Sequence, residues 1–441
     1  MSTPERRPRW ASASRAFVLA LVACGPEAPG SSTDATTTTT TGAATSSGES
    51  PEPTGANDTT TAEPTTSSTG DDVPVDCAAV CDAPWTHDGD LTITPETDPA
   101  SLHCLRSVGG ELRLSGFTGS LPAELRALEE VGDRLLVLDN PGLVDLAGLE
   151  CLRRTDAVFI EANPALADVG ALAGVETCAA LDVNECDALV DLSPLSNITD
   201  IRQFHLSHNP VLTTLPAFPL GTRLDRLTIF VCPALTDLDA LAGVRGPPLE
   251  LSLHTAAGLS SLAGLAGMWE DADDSSGTVV LYELPQLASL TGLESMPAVS
   301  TLLIAGLPQL DSLAPLGALR TVNNLRLQRL PALTSLSGLS QVEQIGTLEI
   351  GSCQPDSGAA LVDLTGLAAV TELEALHLDD NPALQSLAGL DALVTGPSEV
   401  LAVDNPSLSP DAFAAFVAAH AVPVSCQDPP ESCPCNWAVL P

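Results

Sequence analysis

The sequence predicts a β-rich repeat solenoid, with one short strand per turn of about 23 residues and successive turns stacked into one parallel sheet. Three observations carry this. A central leucine recurs as Leu143, Leu166, Leu189, Leu212, Leu235, Leu259, Leu287, Leu310, Leu333, Leu361, Leu384 and Leu408, in steps of 23, 23, 23, 23, 24, 28, 23, 23, 28, 23 and 24 residues. Each recurrence follows a short in–out–in apolar alternation, such as Leu376-His377-Leu378 before Leu384, which is how a half-buried strand reads. The chain is 44% hydrophobic but only 3% aromatic, the aliphatic balance that close-stacked, near-identical turns require.

The amino terminus reads as a targeting segment. Arg6, Arg7, Arg9 and Arg15 precede the apolar run Phe17–Ala23, which is too short to cross a bilayer and has the layout of an export signal. The run ends Leu21-Val22-Ala23-Cys24-Gly25 and resembles a bacterial lipobox. That resemblance implies a signal peptide over 1–24, diacylglycerol on Cys24 and a stable anchor once two or three acyl chains are attached. It also implies a cell-envelope location, with Gly25 after the cysteine favouring the outer membrane, either surface-exposed or periplasmic. Residues 25–74 are rich in Thr, Ser and Pro, with the run Thr36–Thr41. They carry too few large apolar side chains to offset ordering entropy and are expected to form a disordered tether.

The folded part divides into a cap with irregular first turns (75–133), regular repeats (134–408) and a C-terminal cap helix with a Cys-rich tail (409–441). Expected strands are Leu91–Ile93 and Leu112–Leu114 in the first turns, then Leu136–Leu138, Val158–Ile160, Leu181–Val183, Phe204–Leu206, Leu227–Ile229 and Leu249–Leu251. They continue with Val279–Leu281, Leu302–Ile304, Leu325–Leu327, Leu348–Ile350, Leu376–Leu378 and Leu401–Val403. Two turns are lengthened by loops at Glu270–Asp274 and Gln354–Ser357. Ser409-Pro410-Asp411 supplies a cap, a first-turn proline and an acid at the positive end of a helix reaching His420.

Two columns of polar residues run through the repeats. Asn163, Asn209 and Asn381 lie three residues past the last apolar residue of their strands, while Asn140 and Asn405 come one residue sooner. Cys186, Cys232 and Cys353 share this column. The second column, two residues past the central leucine, holds Asp145, Asp168, Asp191, Thr214, Asp237, Ser261, Ser289, Ser312, Ser335, Asp363 and Ser386. Short oxygen-bearing side chains of this kind cap nearby backbone N–H groups. One carboxylate per turn is too few for a string of calcium sites, each of which needs six or more oxygens. The whole pattern resembles leucine-rich repeats, and Leu189-Val190-Asp191-Leu192-Ser193-Pro194-Leu195 is similar to internalin-type surface proteins. The proline after Asn and the glycines Gly148, Gly292, Gly338 and Gly389 of x-G-L look more like the receptor L-domain. That likeness implies a right-handed parallel β-solenoid and supplies no catalytic motif.

Of 12 cysteines, Cys24 goes to lipid and the three column cysteines are expected as buried thiols. Cys77, Cys81, Cys104, Cys151, Cys178, Cys426, Cys433 and Cys435 are the disulfide candidates, grouped toward the two ends. Cys151 with Cys178 is one pairing between adjacent turns, and the remaining connectivity stays open. Cys426, Cys433 and Cys435 lack a fourth ligand at zinc spacing, so no metal is expected. A net charge of −40 speaks against nucleic acid as a partner. His205 and His208 are not followed by the Glu of a metalloprotease motif, and no phosphate loop or nucleophile elbow appears. No catalytic residue and no cofactor is therefore assigned.

The outward strand positions are the better candidates for function. Phe159, His205, Phe230, Tyr282, Arg326 and His377 form the expected ligand-binding face, since aromatics fixed on rigid elements are common binding anchors. The expectation is a non-enzymatic surface lipoprotein that recognises a protein or a glycan. The alternatives are an envelope spacer with no specific ligand and, further off, a hydrolase built on a β-helix.

Overall fold

The computed structural model describes Cys77, residues 81–270, 277–352 and 358–420, Val422 and the backbone of Val424–Gln427. They fall in one compact unit, Val75–Cys435. The lipobox, the tether, both inserted loops after Glu270, Cys353, Cys433 and Cys435 lie outside the described residues.

The strands in chain order are β1 (Trp85–His87), β2 (Leu91–Ile93), β3 (Leu105–Val108), β4 (Leu112–Ser115), β5 (Glu130–Val131) and β6 (Arg134–Leu138). Next come β7 (Ala157–Glu161), β8 (Ala180–Asn184), β9 (Gln203–Ser207), β10 (Arg226–Phe230), β11 (Glu250–His254) and β12 (Thr278–Tyr282). The last are β13 (Ala298–Ala305), β14 (Thr321–Gln328), β15 (Gln344–Ile350), β16 (Glu372–Asp379), β17 (Glu399–Val403) and β18 (Val424–Gln427), with helix α1 (Pro410–His420) between β17 and β18. Fifteen of them pair in parallel as one sheet running from β2 and β4 through β6 to β18 in order, and β1, β3 and β5 make a separate three-stranded sheet. Among the described residues, nine short 3-10 helices lie between strands.

One leucine pattern builds the core. Inward strand residues stack on their counterparts one turn away, as Leu227 does on Phe204 and Leu251. The central leucines from Leu143 to Leu384 are all essentially buried. The second polar column works as expected: the carboxylates of Asp145, Asp168 and Asp191 accept from the N–H two residues on at 3.0, 2.6 and 2.7 Å. Ser261, Ser312 and Ser335 repeat this with their hydroxyls. Turns meet backbone to backbone. A Cβ on Gly292 would come 2.1 Å from the Leu262 carbonyl oxygen, and one on Gly338 1.9 Å from that of Leu313.

The inward amides form a ladder. Asn163 accepts from the N–H and the side-chain amide of Asn140 at 3.2 and 2.9 Å, and donates to the Val137 and Glu161 carbonyls at 2.8 and 2.9 Å. Asn140 does the same for Phe117, Asn209 for Cys186, and Asn405 for Asn381. Just before this column every regular turn takes one left-handed residue, among them Asp139, Glu185, His208, Val231, Thr255, Arg329 and Asp380 with φ of 51–58°. That kink turns the chain from the sheet into the core.

Three expected strands were out of phase. Leu114 pairs with Val137 and Leu378 with Ala402, so Leu136, Leu138, Leu401 and Val403 point outward. Once Val137 and Ala402 are the last inward residues, Asn140 and Asn405 fall three residues on, like every other member of the column. Leu227 pairs with Leu251 and Ile229 with Leu253, which moves the β11 strand two residues later and leaves Leu249 67% exposed. Beyond the cap helix, where the sequence pointed only to a Cys-rich tail, the backbone returns as β18 and pairs with β17.

The cysteines correct one further expectation. Cys77 bonds Cys151, and Cys81 bonds Cys104. Cys178 is a buried free thiol, not a partner of Cys151, because Cys77 reaches back across 74 residues to occupy that sulfur. Cys178 instead donates to the Ala180 carbonyl at 3.1 Å.

Candidate functional site

The outward face of the sheet carries three columns, and the last one holds the densest group of aromatic side chains. Phe230, His254 and Tyr282 end β10, β11 and β12 and are in direct register: Phe230 pairs with His254, and His254 with Tyr282. Their rings are 6.0 and 5.6 Å apart between centroids. His208, the left-handed residue after β9, adds a fourth ring 5.2 Å from Phe230 and edge-on to it. The Ser207 hydroxyl holds the His208 Nδ1 at 2.7 Å. At the other end Arg329 lies 5.1 Å from the Tyr282 ring centroid and bonds Glu283 at 2.6 Å. These two partners come from turns on either side of Gly306. A side chain there would crowd both, since its Cβ would stand 3.2 Å from the Glu283 carboxyl carbon and 3.3 Å from an Arg329 nitrogen.

All four rings are half-buried, each edged by its neighbours and open on the outer side. Burial lowers the affinity of His254 for a proton and favours its uncharged ring.

The expected face is only partly one surface. Phe230 and Tyr282 fall in this row. Phe159, His205, Arg326 and His377 occupy the middle outward column on β7, β9, β14 and β16, spread along the sheet. His205 is held neutral mainly by burial. Arg326 is 3.3 Å from Glu349 on the next strand, and Gln328 donates to the same carboxylate. Next to that pair, Asp379 is 2% exposed and neither of its carboxylate oxygens has a hydrogen-bond partner. Burial first, then Glu349, Asp404 and Asp380, raise its pKa to about 7.

His208, His254 and Arg329 were not assigned from the sequence. Their signal was present. Phe230, His254 and Tyr282 each stand five residues before a central leucine, Leu235, Leu259 and Leu287 respectively. Misplacing the β11 strand by two residues hid His254 from that count.

North of the row, toward β6, the same face turns acidic. Glu161, Asp182 and Glu185 lie on β7, β8 and the turn after β8, and the buried Asn184 Oδ1 between them has no donor. Burial raises the Asp182 pKa to about 7. Glu161 is raised too, by burial and then by Asp182, Glu185 and Asp139, against a small opposing effect of Arg113.

Among the described residues, Cys81, His103 and Cys104 bring donor atoms within 4.8 Å of one another. The two sulfurs are joined to each other and are not thiolate ligands. Two surface hollows of about 260 and 210 Å³ lie over the first turns, lined in part by Phe117 and Pro122 and by His103 and Arg126. The aromatic row borders neither of them.

The stacked parallel strands, the inward Asn and Cys column and the repeating leucines define a leucine-rich-repeat solenoid. No family model matches the chain, and no curated protein matches it. Solved structures with a similar course include an internalin from Listeria monocytogenes at 17% identity and TM-score 0.42, covering 74% of this chain and 82% of the internalin. A second is TLR13 in its ssRNA13 complex at 16% identity and TM-score 0.41, covering 72% of this chain and 47% of that one. A third is a leucine-rich-repeat protein of Leptospira interrogans at 14% identity and TM-score 0.36, covering 77% and 90%.

Proposed function

We infer that this chain is a non-enzymatic recognition protein of the bacterial cell envelope. An acylated Cys24 and the 25–74 tether hold it at the membrane, and the face centred on Phe230, His254 and Tyr282 contacts a protein or glycan partner. The observation that carries this reading is the aromatic row itself: four rings from four consecutive turns, fixed on a rigid sheet and open on one side. Rings held this way lose little conformational freedom on binding, and aromatic side chains dominate the energy of many interfaces. Four half-buried rings set side by side on the sheet suit a broad contact with a macromolecule.

The test compares the full chain with its Phe230→Ala/Tyr282→Ala variant, each immobilised and presented with washed cell envelopes of the producing bacterium. Loss of two anchors is expected to weaken retention by about tenfold or more, since a single central aromatic contributes ~1–2 kcal/mol. Equal retention by both proteins would remove the row from the binding surface and favour the spacer reading.

A further inference from the structure

Resting on that recognition reading, we propose that the sheet face from β7 to β12 docks an extended segment of a partner protein bearing lysine or arginine. Its cationic groups sit against Glu161, Asp182 and Glu185, and its chain crosses the aromatic row. The face is one-sided in chemistry. Glu161, Asp182 and Glu185 form none of the ion pairs found among the described residues, although nine such pairs exist elsewhere on the chain. Arg113, the cation that acts on Glu161, is already 3.7 Å from Asp139. Asn184 adds a buried acceptor, Oδ1, with no donor.

This patch therefore presents three carboxylates that none of these salt bridges answers, with Arg113 acting only weakly on Glu161. Neighbouring carboxylates that repel one another lose that penalty when a cation arrives, which is the condition for charge complementarity across an interface. The neighbouring rings give the same ligand a second contact, because lysine and arginine stems pack on aromatic faces and their charged ends are drawn to the ring quadrupole. Arg329 over Tyr282 is an instance of that contact already made within the chain. Strands about 4.8 Å apart place the carboxylates and the rings along a line that an extended segment, rising about 3.3 Å per residue, can follow. An acidic glycan or a nucleic acid would meet the repulsive end of this line, and a neutral glycan would leave the carboxylates unanswered.

The experiment measures binding of a labelled twelve-residue peptide of alternating lysine and threonine to the full chain by fluorescence anisotropy. The glutamate–threonine counterpart and a neutral cellohexaose are tested alongside. Glu161→Gln/Asp182→Asn/Glu185→Gln is expected to weaken the lysine peptide at least tenfold. Asp145→Asn/Asp168→Asn/Asp191→Asn removes the same charge from a different edge and is expected to weaken it less than twofold. Matching melting temperatures for the two triple variants establish that both fold. Equal weakening by both would reduce the attraction to bulk charge and overturn the proposal. Preference for the neutral sugar, lost on Phe230→Ala, would overturn the cationic ligand and leave the recognition reading standing. If envelope retention does not depend on Phe230 and Tyr282, the recognition reading falls regardless of the peptide result.

Discussion

The turns from Asn140 to Cys232 and those from Ala256 to Leu330 share one strand pattern but hold their turns together differently. In the first group the inward amides of Asn140, Asn163 and Asn209 bond the turn before them. Asn163 makes three such bonds, with the Asn140 N–H, the Asn140 side-chain amide and the Val137 carbonyl, while the Cys186 and Cys232 thiols donate to the Asn184 and Phe230 carbonyls of their own turns. In the second group the same column is Ala256, Leu284, Leu307 and Leu330, which have no acceptor to offer. In its last two turns the strands also lengthen: β13 and β14 run eight residues, while β11 and β12 keep the five of β6 to β10. Side-chain bonding gives way to aliphatic packing, with longer backbone pairing added only at β13 and β14. The aromatic row straddles the boundary, with Phe230 on the last polar turn and Tyr282 on a dry one.

The sharpest break of this comparison is a swap. Asn163→Ala takes the acceptor from two N–H donors and a bond from each of the Val137 and Glu161 carbonyls, the latter still held by the Asp139 N–H, and is expected to cost about 3 kcal/mol in urea unfolding. Leu307→Asn buries an amide where no ladder exists and loses aliphatic packing, for about 3 kcal/mol or more. A dry turn that accepted Asn without loss would show that the two groups are interchangeable.

A second prediction separates the buried carboxylate Asp379 from the neutral core around it. Its pKa is raised to about 7 in the folded chain against a usual value of 3.8. The folded state therefore binds the proton more tightly, so the stabilising contribution is complete below about pH 4 and is lost as pH rises through about 7. Asp379→Asn is expected to raise the melting temperature at pH 8, with the gain shrinking to nothing near pH 4. A gain independent of pH would assign it to packing instead of charge. His254, lowered by burial, works in the opposite sense: its contribution is present at high pH and falls as pH drops below the usual histidine range. The Asp379 variant is therefore read as a difference from wild type at each pH.

The smallest effect concerns the left-handed column. Val231, at φ 51°, is β-branched in a conformation that disfavours it. Val231→Asn is expected to gain about 0.5–1 kcal/mol, whereas the same change at Asp139, already suited to the turn, should move stability by a few tenths at most.

Much of this architecture was legible because a fixed spacing of leucines leaves one way to stack. Phase was the weak point. Leu135-Leu136-Val137-Leu138 is apolar throughout, so alternation alone does not say which residues face inward, and Leu249-Glu250-Leu251 alternates cleanly in the wrong frame. The inward column carried the missing information, since Asn140 and Asn405 looked early only because their strands had been set one residue late. The small sheet of β1, β3 and β5 left no pattern, because strands of two to four residues are too short to show one. The Cys77–Cys151 link spans 74 residues, a separation that spacing does not reveal. Of the site, single rings could be picked from the sequence, but the row depends on register between turns.

Tyr282 is the sole tyrosine of the chain, which allows one direct measurement of the aromatic face in use. Nitration of that ring by tetranitromethane can be followed by mass spectrometry with and without envelopes bound. Occupation of the face predicts rapid modification of the free protein and at least fivefold slower modification in the bound state. An unchanged rate while the envelopes remain bound would place the contact surface elsewhere.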